Sequence, residues 1–373
     1  MDLKFDIYDS FDIKLETEWC QLESKCDHFI FQSYAWLSHW HRTIGLYTYD
    51  VTPVVVVVKS SSSTVAIFPF GIRNNFSTKV LEFLGGAQSD YNSILVLPGF
   101  FKDKELKILW NKLLEKLPDH DLRCFVRMPM IVSGLRNPII YDEPSLCEGV
   151  SYAASLPVSW EMFQERLPKR YKKDNARMIR RLSEIGTIKF VVASNHDEYS
   201  SILTKMFQQK QRRYKETGAM NILSDVNTRV FYRGLETIAN GSANVHLSAL
   251  MLNGEVLATH LGAYDTKRFY YLLPTFANGE WSKFSPGRLL LDYLVQWSIE
   301  HRLKNFDFTI GAESYKEKWC DSELPVYRLM SPLSFRGRVY VSIQLFIYWI
   351  KTNPRPRAFA MNLVRVANKF RIN

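Results

Sequence analysis

The run from Phe306 to Trp319, FDFTIGAESYKEKW, constrains the fold more than any other part of this sequence. Apolar residues alternate at Phe306, Phe308 and Ile310, which predicts a buried strand, and Gly311 allows the backbone to turn after it. Lysine and aromatic side chains follow the turn. Because functional side chains concentrate in loops at the ends of rigid elements, this loop is a candidate for the chemistry.

A helix is predicted just upstream of this strand. The triplet Ser285-Pro286-Gly287 precedes apolar residues at helical spacing, and proline is favoured in the first turn of a helix. The apolar positions are Leu289, Leu290, Tyr293, Leu294 and Trp297. The helix is therefore expected to begin near Pro286.

Two other segments each predict a β-hairpin. Residues 51–75 place two apolar strands around a serine-rich turn, and residues 244–264 place two around Asn253-Gly254. The hairpins resemble one another at a separation of about 190 residues, which is the pattern of a duplicated unit. Two unrelated buried hairpins would also look alike, so the repeat is weak evidence on its own.

Several runs in a fixed order resemble one known family. The runs are FQSYAWLSHW from Phe31, LGGAQSDY from Leu84, KRYKKDNARMIRRLSEIG from Lys169, VLATHLGAY from Val256, FSPGRLLLDYLVQWS from Phe284 and FDFTIGAESYKEKW from Phe306. Over most of residues 28–320 the chain resembles the GNAT-superfamily acyltransferases of the BioF2-like, or cellulose-biosynthesis acetyltransferase, group, which are related to the FemABX peptidyl transferases. The resemblance implies a mixed α/β (α+β) fold of two fused GNAT-like domains, each a mostly antiparallel mixed sheet flanked by helices.

Length and composition agree with two domains. A chain of 373 residues with 46% hydrophobic residues is longer than one typical domain and can bury a large core. We expect an acceptor-side domain over residues 1–150, a donor-side domain over 151–335 and a basic amphipathic tail over 336–373. The five cysteines lack paired close spacing, and the N-terminus lacks a basic start and an apolar core, so a cytoplasmic protein is expected.

The net charge of +10 belongs to the tail. Nine lysines and arginines and no acidic residue follow Glu323, so subtracting nine leaves about +1 for residues 1–323. A DNA-binding body is therefore not indicated. The apolar stretch Tyr340–Ile350 is too short to span a bilayer. It predicts either an interfacial helix on anionic lipid or a helix packed on the core, followed after Pro354 and Pro356 by a short basic helix, Ala358–Phe370.

Two basic helices are predicted in the middle of the chain. Eight basic residues lie between Arg166 and Arg181, and apolar residues at helical spacing indicate an amphipathic helix after Pro168. Its charge fits either contact with phosphate or a solvated face between two domains. A second helix, Tyr199–Tyr214, is expected to end towards Gly218.

The second helix departs from the family pattern. The family usually has a His there followed by Arg and Trp, whereas this chain has Lys210, Arg213 and Tyr214. A role of that His cannot be transferred, and a lysine is a poor base unless it is desolvated. The resemblance leaves Arg213 and Tyr214 as candidate substrate-binding residues.

Acyl transfer needs a cradle for the phosphates of the donor, a group that stabilises the oxyanion and a proton acceptor. Free backbone N–H groups at a helix start can hold pyrophosphate. We expect Gly287, Arg288 and Leu289 to supply them after Ser285, with Lys283 and Arg288 adding charge. The alternative is a turn that merely starts a packed helix.

The loop after the strand holds the residues that match the lysine implicated in the oxyanion role in FemABX-type relatives. Lys316 is the first candidate and Lys318 the second, although both could be surface lysines. Glu313 could accept a proton or orient the amine, but the acidic residue that the family often has before it is Ala312 here. Tyr315 is a candidate acceptor contact.

Two further positions are less distinctive. His260 lies among small apolar residues on a predicted strand, which favours a core histidine over a general base. Asp90 and Tyr91 follow Gly85-Gly86 and match a family segment that lines the acceptor cleft, although an aspartate there could simply close a turn.

Together these features predict an N-acyltransferase that moves an acetyl or other acyl group from acyl-CoA to an amine, such as an amino sugar or a cell-envelope or polysaccharide precursor. The alternatives are a FemABX-like aminoacyl transferase that uses aminoacyl-tRNA, and a non-enzymatic scaffold at the membrane. No metal ligands at metal-site spacing, Walker loop or Rossmann fingerprint occur in the sequence. Anionic membrane at the inner face is a candidate partner of the 336–373 tail.

Overall fold

The structure, a computed structural model, describes residues 2–75, 77–141, 145–238, 243–311, 316 and 319–352. Its α-helices are α1 (Ile13–Glu23), α2 (Tyr34–Trp40), α3 (Asp103–Leu114), α4 (Trp160–Arg166), α5 (Lys169–Ser183), α6 (His196–Thr217), α7 (Val226–Gly234), α8 (Pro286–Glu300) and α9 (Phe335–Thr352). Short 3₁₀ turns span Ile30–Gln32, Gly86–Gln88, Ile222–Ser224, Leu235–Thr237 and Gly279–Phe284, and a π turn spans His41–Gly45.

The strands form one large sheet and one small hairpin in the described part of the chain. They are β1 (Leu3–Tyr8), β2 (Val51–Ser60), β3 (Ser63–Asn75), β4 (Thr78–Phe83), β5 (Leu95–Val96), β6 (Leu122–Pro129), β7 (Ile131–Val132), β8 (Leu135–Arg136), β9 (Leu146–Ser155), β10 (Ile188–Val192), β11 (Asn244–Leu252), β12 (Glu255–Tyr264), β13 (Arg268–Phe276), β14 (Asn305–Ile310) and β15 (Ser322–Pro332). The large sheet has the order β1-β2-β3-β4-β6-β15-β9-β14-β13-β12-β11-β10, and β5 pairs with β3.

The two halves of the chain repeat one unit. The first half runs β1, α1, α2, β2, β3, β4, α3 and β6, and the second runs β10, α6, α7, β11, β12, β13, α8 and β14. In each half the last two of these strands, β4 with β6 and β13 with β14, are parallel, and the others pair antiparallel with their sequence neighbours in the sheet. The duplication expected from the two hairpins is therefore present.

A strand from each half completes the sheet of the other half. Strand β9 follows the first half in the chain but pairs with β14 of the second half. Strand β15 follows β14 but pairs with β6 of the first half, and β15 and β9 pair with each other at the centre. The boundary expected at residue 150 falls inside β9, so the domains are linked by exchanged strands rather than by a linker.

Local sequence explains most of the elements. The run of five valines, 54–58, is buried at every position because helices cover both faces of the sheet at β2. Helix α8 begins at Pro286 as predicted, and α6 ends at Gly218, whose φ of +65° is a left-handed conformation that glycine adopts without strain.

The two faces of the sheet have different cores. On one face a single core is shared by both halves, with Trp36 and Phe231 in edge-to-face contact. On the other face the first half packs around α3 and the second half around α8, in two separate cores. The shared core and the exchanged strands hold the halves in one body.

The start of helix α9 packs on the core, and most of its apolar side chains further along are exposed. Gly337 lies directly against the backbone of Asp121. The exposed apolar residues of α9 are Phe335, Val339, Ile343, Leu345, Phe346, Ile347 and Trp349. Among the described residues, none of the helices combines the length and the apolar character needed to cross a membrane. The predicted last helix, Ala358–Phe370, lies outside the described residues.

Candidate functional site

The candidate cleft is the place where the parallel strands β13 and β14 separate. They pair at only three positions, of which Tyr270 opposite Asp307 is the last, and both strands then continue without pairing to each other. Helix α8 begins after β13, so its start lies at the same end of the sheet. The carboxyl ends of diverging parallel strands are a common place for ligands in sheets of this kind.

The backbone of β14 is distorted at this cleft. The pairing with β9 shifts register between Asp307 and Ile310, and Thr309 has a φ of +57°, which is rare for a β-branched residue. The Thr309 N–H donates to Asp307 Oδ1 at 2.7 Å. The sequence placed the break at Gly311, where φ is +149°, but the strain begins two residues earlier.

Lys316 lies in the interior, and this burial excludes the surface alternative. Its side chain is 3% exposed, and its Nζ donates to the Thr309 carbonyl at 3.5 Å. The Lys316 carbonyl accepts the N–H groups of Trp319 and Cys320, which fixes the backbone. A buried ammonium beside a strand end is placed to donate to a developing oxyanion. Glu313, Tyr315 and Lys318, the other candidates in this loop, lie outside the described residues.

Asp90 reaches the same place from the first half of the chain. Burial raises the pKa of its carboxyl, while the Arg127 guanidinium, the Thr309 hydroxyl and Lys316 act in the opposite direction. A quarter of its side chain remains exposed, and its Oδ1 lies 3.4 Å from Arg127 Nη1. A carboxylate with a raised pKa that still reaches solvent can accept a proton.

Tyr91 does not line the cleft, contrary to expectation. Its ring is fully buried and stacks on Phe29 at 4.2 Å, and its hydroxyl donates to the Asp307 carboxylate at 2.8 Å and also contacts Ser151. Arg268 Nη1 donates to the other Asp307 oxygen at 2.7 Å. This network ties the segment that carries Asp90 to β14, so Tyr91 has a positioning role.

Asp307 and Arg268 were missed by sequence reasoning. Asp307 falls between the apolar positions Phe306 and Phe308 of the predicted strand, yet it is buried and accepts from residues of both halves. A carboxylate in an otherwise apolar strand requires hydrogen-bond donors, and this requirement was the available signal.

The start of α8 offers fewer free amides than expected. The N–H groups of Arg288 and Leu289 donate to the Ser285 carbonyl at 2.9 and 3.2 Å, the second of these being the first regular i→i−4 bond of the helix. The prediction of three free amides is therefore wrong for those two, and Leu289 is buried. The Gly287 N–H has no acceptor among the described residues.

Cations surround this helix start instead. The Arg288 guanidinium lies 5.3 Å from the Tyr171 ring, and its buried Nε has no hydrogen-bond partner in the described residues. Two cations lie near the Phe284 ring: Arg181 of α5 at 5.4 Å and Lys283 at 5.2 Å from the ring centroid. These side chains supply positive charge where the amides do not.

The end of helix α6 adds further charge. Arg213 lies 5.2 Å from the Phe276 ring, and a Cβ added at Gly287 would lie 3.0 Å from the same ring. Tyr214 is half-buried, and the Lys210 Nζ lies 5.9 Å from the centroid of its ring. Burial, with repulsion from Arg213, lowers the pKa of Lys210 to about 8, so the desolvation required of a lysine base is present.

Helix α5 is held on α8 by buried polar contacts. The Tyr171 hydroxyl and the Asn175 amide each donate to the Asp292 carboxylate at 2.7 Å. Burial raises the pKa of Asp292 to about 6. These contacts orient α5 so that most of its lysines and arginines are exposed.

His260 belongs to the core rather than to the cleft. Its ring is fully buried, stacks on Tyr271 at 4.5 Å and lies near His246, and neither imidazole has a hydrogen-bond partner in the described residues. Burial lowers the pKa of both rings, that of His246 to about 3. His260 cannot reach a substrate amine, so the catalytic assignment is withdrawn. No cluster of three or more metal-ligating side chains occurs in the described residues.

The duplicated unit, with parallel strands that diverge beside a helix start, is the arrangement of GNAT-like domains. Residues 169–317 match the family model described as an acetyltransferase (GNAT) domain. The first half repeats the same unit, and the expected fold of two fused GNAT-like domains is confirmed. No curated protein matches the sequence.

Solved structures share this fold at low identity. FemX matches with a TM-score of 0.58 and 10% identity over 88% of this chain and 97% of its own. A conserved protein of unknown function from Bacteroides thetaiotaomicron matches with a TM-score of 0.55 and 11% identity, over 89% and 100%. L-PGS from Bacillus licheniformis matches with a TM-score of 0.50 and 14% identity, over 91% and 98%. The expected resemblance to the FemABX-related group thus holds for the fold.

Proposed function

We propose that this protein is an N-acyltransferase that moves an acetyl or other acyl group from coenzyme A to an amine. The observation that carries the proposal is the meeting of Asp90 and Lys316, from opposite halves of the chain, at the distorted end of β14. A proton acceptor and an oxyanion donor beside one cleft are what acyl transfer to an amine requires. The GNAT family match of residues 169–317 supports the reaction class.

The donor would lie at the start of α8. Coenzyme A carries several phosphate charges, and four cationic side chains on four elements lie around this helix start: Lys283, Arg288, Arg181 and Arg213. The free N–H of Gly287 points from the positive end of the helix dipole. The second half therefore binds the donor, and the first half contributes Asp90 and the acceptor side.

The reaction proceeds by attack of the neutral amine on the thioester carbonyl. The N–C bond forms while the carbonyl oxygen accepts a hydrogen bond from Lys316, and Asp90 takes the proton that the nitrogen loses. Collapse breaks the C–S bond, and the released thiolate of coenzyme A is protonated. The acceptor is proposed to be an amino sugar or another cell-envelope or polysaccharide precursor.

The melting temperature of the full chain tests the donor class. Acetyl-CoA, longer acyl-CoAs, free coenzyme A and a tRNA mixture are added separately, since a ligand that binds only the native state raises the melting temperature. A rise with acyl-CoA supports the proposal and ranks chain lengths. No response to any coenzyme A thioester would contradict it.

A second candidate is aminoacyl transfer from aminoacyl-tRNA. The exposed cations of α5 and the fold shared with FemX favour this alternative. Contacts to RNA phosphates release counterions, so this activity would fall steeply with salt. If tRNA alone raises the melting temperature, and activity declines as the salt concentration rises, the donor is aminoacyl-tRNA and not acyl-CoA.

We also propose that the tail touches the inner face of an anionic membrane, which places the protein in the cytoplasm. The exposed apolar residues of α9 and the nine basic residues after Glu323 support this contact. Binding to vesicles with and without phosphatidylglycerol, compared between the full chain and a chain that ends at Ser334, tests it. Equal binding of both chains would remove the membrane contact and the scaffold alternative with it.

A further inference from the structure

A cavity of about 320 Å³ with arginine and glutamate side chains in its wall lies in the first half of the molecule, apart from the donor cleft. Its lining residues come from strands β3, β4, β6, β9 and β15 and from the turn after β4. They are Tyr49, Arg73, Glu82, Phe83, Gly86, Ala87, Asn92, Cys124, Val126, Arg127, Glu148 and Arg328. None of these residues has been assigned to the donor.

The position of the cavity follows from the duplication. Strands β4 and β6 pair only at Val80–Leu122 and Leu81–Arg123 and then continue without pairing to each other, as β13 and β14 do. The cavity lies at the carboxyl ends of this parallel pair. It therefore occupies, in the first half, the place that the donor cleft occupies in the second half.

This cavity lacks the features of a second donor site. Helix α3, the counterpart of α8, contributes no residue to its lining. The first turn of α3 also carries Asp103 and Glu105, which would repel phosphate from that helix start. The duplicated cleft therefore has a different ligand.

The charges in the lining favour an anion. Three guanidinium groups face two carboxylates, those of Glu82 and Glu148. Arg73 is neutralised by a bidentate pair with Glu82, with N–O distances of 3.0 to 3.1 Å. Arg328 pairs with Glu148 at 2.5 Å and Arg127 lies 3.4 Å from Asp90, each through a single Nη atom, so both guanidinium groups keep further N–H donors for a ligand.

Arg328 has an unused donor inside the cavity wall. Its Nη2 donates to Glu148 Oε1 at 2.5 Å, and its Nε is buried away from the cavity, so Nη1, which forms no hydrogen bond in the described residues, is the donor that a ligand can reach. Glu148 Oε2 also accepts the backbone N–H of Arg127 at 3.0 Å, so one carboxylate fixes the Arg328 side chain and the Arg127 backbone.

Arg127 connects the cavity to the proposed proton acceptor. Its Nη1 donates to the Ser89 carbonyl at 2.7 Å and lies 3.4 Å from Asp90 Oδ1. Its Nε and Nη2 form no hydrogen bond in the described residues, so they are open to a ligand. An anionic group held here lies on the far side of the guanidinium from Asp90.

We propose that this cavity binds an anionic group, a carboxylate or a phosphate monoester, carried by the amine acceptor. The inference rests on the proposed function, because it assigns the acceptor of the same reaction. Arg127 binds the anion as a planar fork through Nε and Nη2, Arg328 adds its Nη1, and the amine of the same molecule extends towards Asp90. The acceptor is therefore a molecule that carries a negatively charged group in addition to the amine that is acylated.

Binding of simple anions tests the cavity without the reaction. Inorganic phosphate, glycerol phosphate and succinate are titrated at constant ionic strength while the melting temperature is recorded. Saturable stabilisation is expected for the wild type and is lost in Arg328→Gln. The matched control Arg136→Gln removes the same charge from the first half at a residue outside the lining and retains the response.

Arg328→Gln leaves Glu148 without its partner, so the double variant Glu148→Gln with Arg328→Gln is measured alongside. If the single variant is misfolded, loss of stabilisation in a folded double variant still supports the site. Phosphate-selective stabilisation identifies a phosphomonoester and succinate-selective stabilisation a carboxylate. Absence of saturable stabilisation in the wild type, or its persistence in both variants, overturns the proposal.

Acceptor kinetics separate this inference from the proposed function. An amino sugar phosphate is compared with the free amino sugar, and an amino acid with its methyl ester. Arg328→Gln is expected to raise KM for the anionic member roughly 10- to 100-fold with kcat retained, as loss of a charge-assisted hydrogen bond requires. If acetyl-CoA stabilises the protein but anionic acceptors are not preferred, the assignment of the cavity alone is wrong. If anions bind in a way that depends on Arg328 but coenzyme A has no effect, the assignment of the donor alone is wrong.

Discussion

At the scale of single residues, the site depends on groups whose protonation the fold has shifted. Burial raises the pKa of Asp90 and lowers the pKa of Lys210 to about 8. Each could remove the proton of the amine. The pH dependence of activity distinguishes them.

Replacement of Asp90 by asparagine should lower kcat about 100- to 10,000-fold, the usual contribution of a general base. Because the carboxylate is the active form, wild-type activity should rise as pH rises through the raised pKa of Asp90, and this acidic limb should disappear in the variant. The matched change Lys210→Met should preserve it. A limb near pH 8 that survives in Asp90→Asn and vanishes in Lys210→Met would assign the base to Lys210 instead.

Replacement of Lys316 by methionine should lower kcat about 100- to 1,000-fold with little change in the KM of acyl-CoA, since the ammonium acts on the transition state. Methionine retains most of the side-chain volume in this buried position. Steady-state kinetics with a melting curve of each variant measure the effect. An unchanged kcat would exclude the oxyanion role.

The two core histidines should make the fold sensitive to acid. Their pKa values are lowered by burial, so below pH 6.5 the unfolded chain binds protons that the folded chain does not. Stability should therefore fall as pH falls, by about 2 kcal/mol for His246 between pH 6.5 and 4.5. Urea unfolding of His246→Phe should lose that part of the slope, and an identical slope in both proteins would contradict the assignment.

At the scale of elements, local sequence patterns were sufficient to predict the helices and strands but not the details of their backbone conformation. Both hairpins, the helix at Pro286 and the basic helix after Pro168 were predicted because alternation and helical spacing are written in neighbouring residues. The amide of Leu289 is the first that a helix beginning at Pro286 satisfies internally, and the amide of Arg288 is occupied by an i→i−3 bond to Ser285 that the residue pattern does not reveal. Lys316 was predicted by position, but its burial depends on how the chain folds over it.

The start of α8 should bind donor phosphate through side chains more than through amides. Arg288→Glu should therefore raise the KM of acyl-CoA by roughly 10-fold or more, because it replaces attraction with repulsion. Lys104→Glu, on the exposed surface of α3, is the control with the same change in charge. Equal coenzyme A affinity in wild type and Arg288→Glu would count heavily against the donor site.

At the scale of the whole molecule, the exchanged strands make the halves interdependent. Strand β15 pairs with both β6 and β9, so loosening it should affect both sheets. Sequence could not reveal this exchange, because alternation identifies a strand but not its partner. The same limit explains why Asp90 and Lys316 could be proposed separately while their meeting could not.

The protein should therefore unfold in one transition. Val326→Ala, at a fully buried position of β15, should destabilise the molecule by about 2 kcal/mol. Hydrogen exchange should show equal losses of protection in β2 of the first half and β12 of the second. Loss confined to one half, or two separate thermal transitions, would mean that the halves unfold independently.

The crossing of β9 and β15 also bears on how such a chain could arise. A single unit that gave its last strand to an identical copy, and took one in return, would be a domain-swapped homodimer with a two-fold axis between the two exchanged strands. Joining two such units end to end turns an exchange between molecules into an exchange within one chain. After that fusion the two clefts are free to diverge, one retaining its helix start for the donor and the other accumulating arginines.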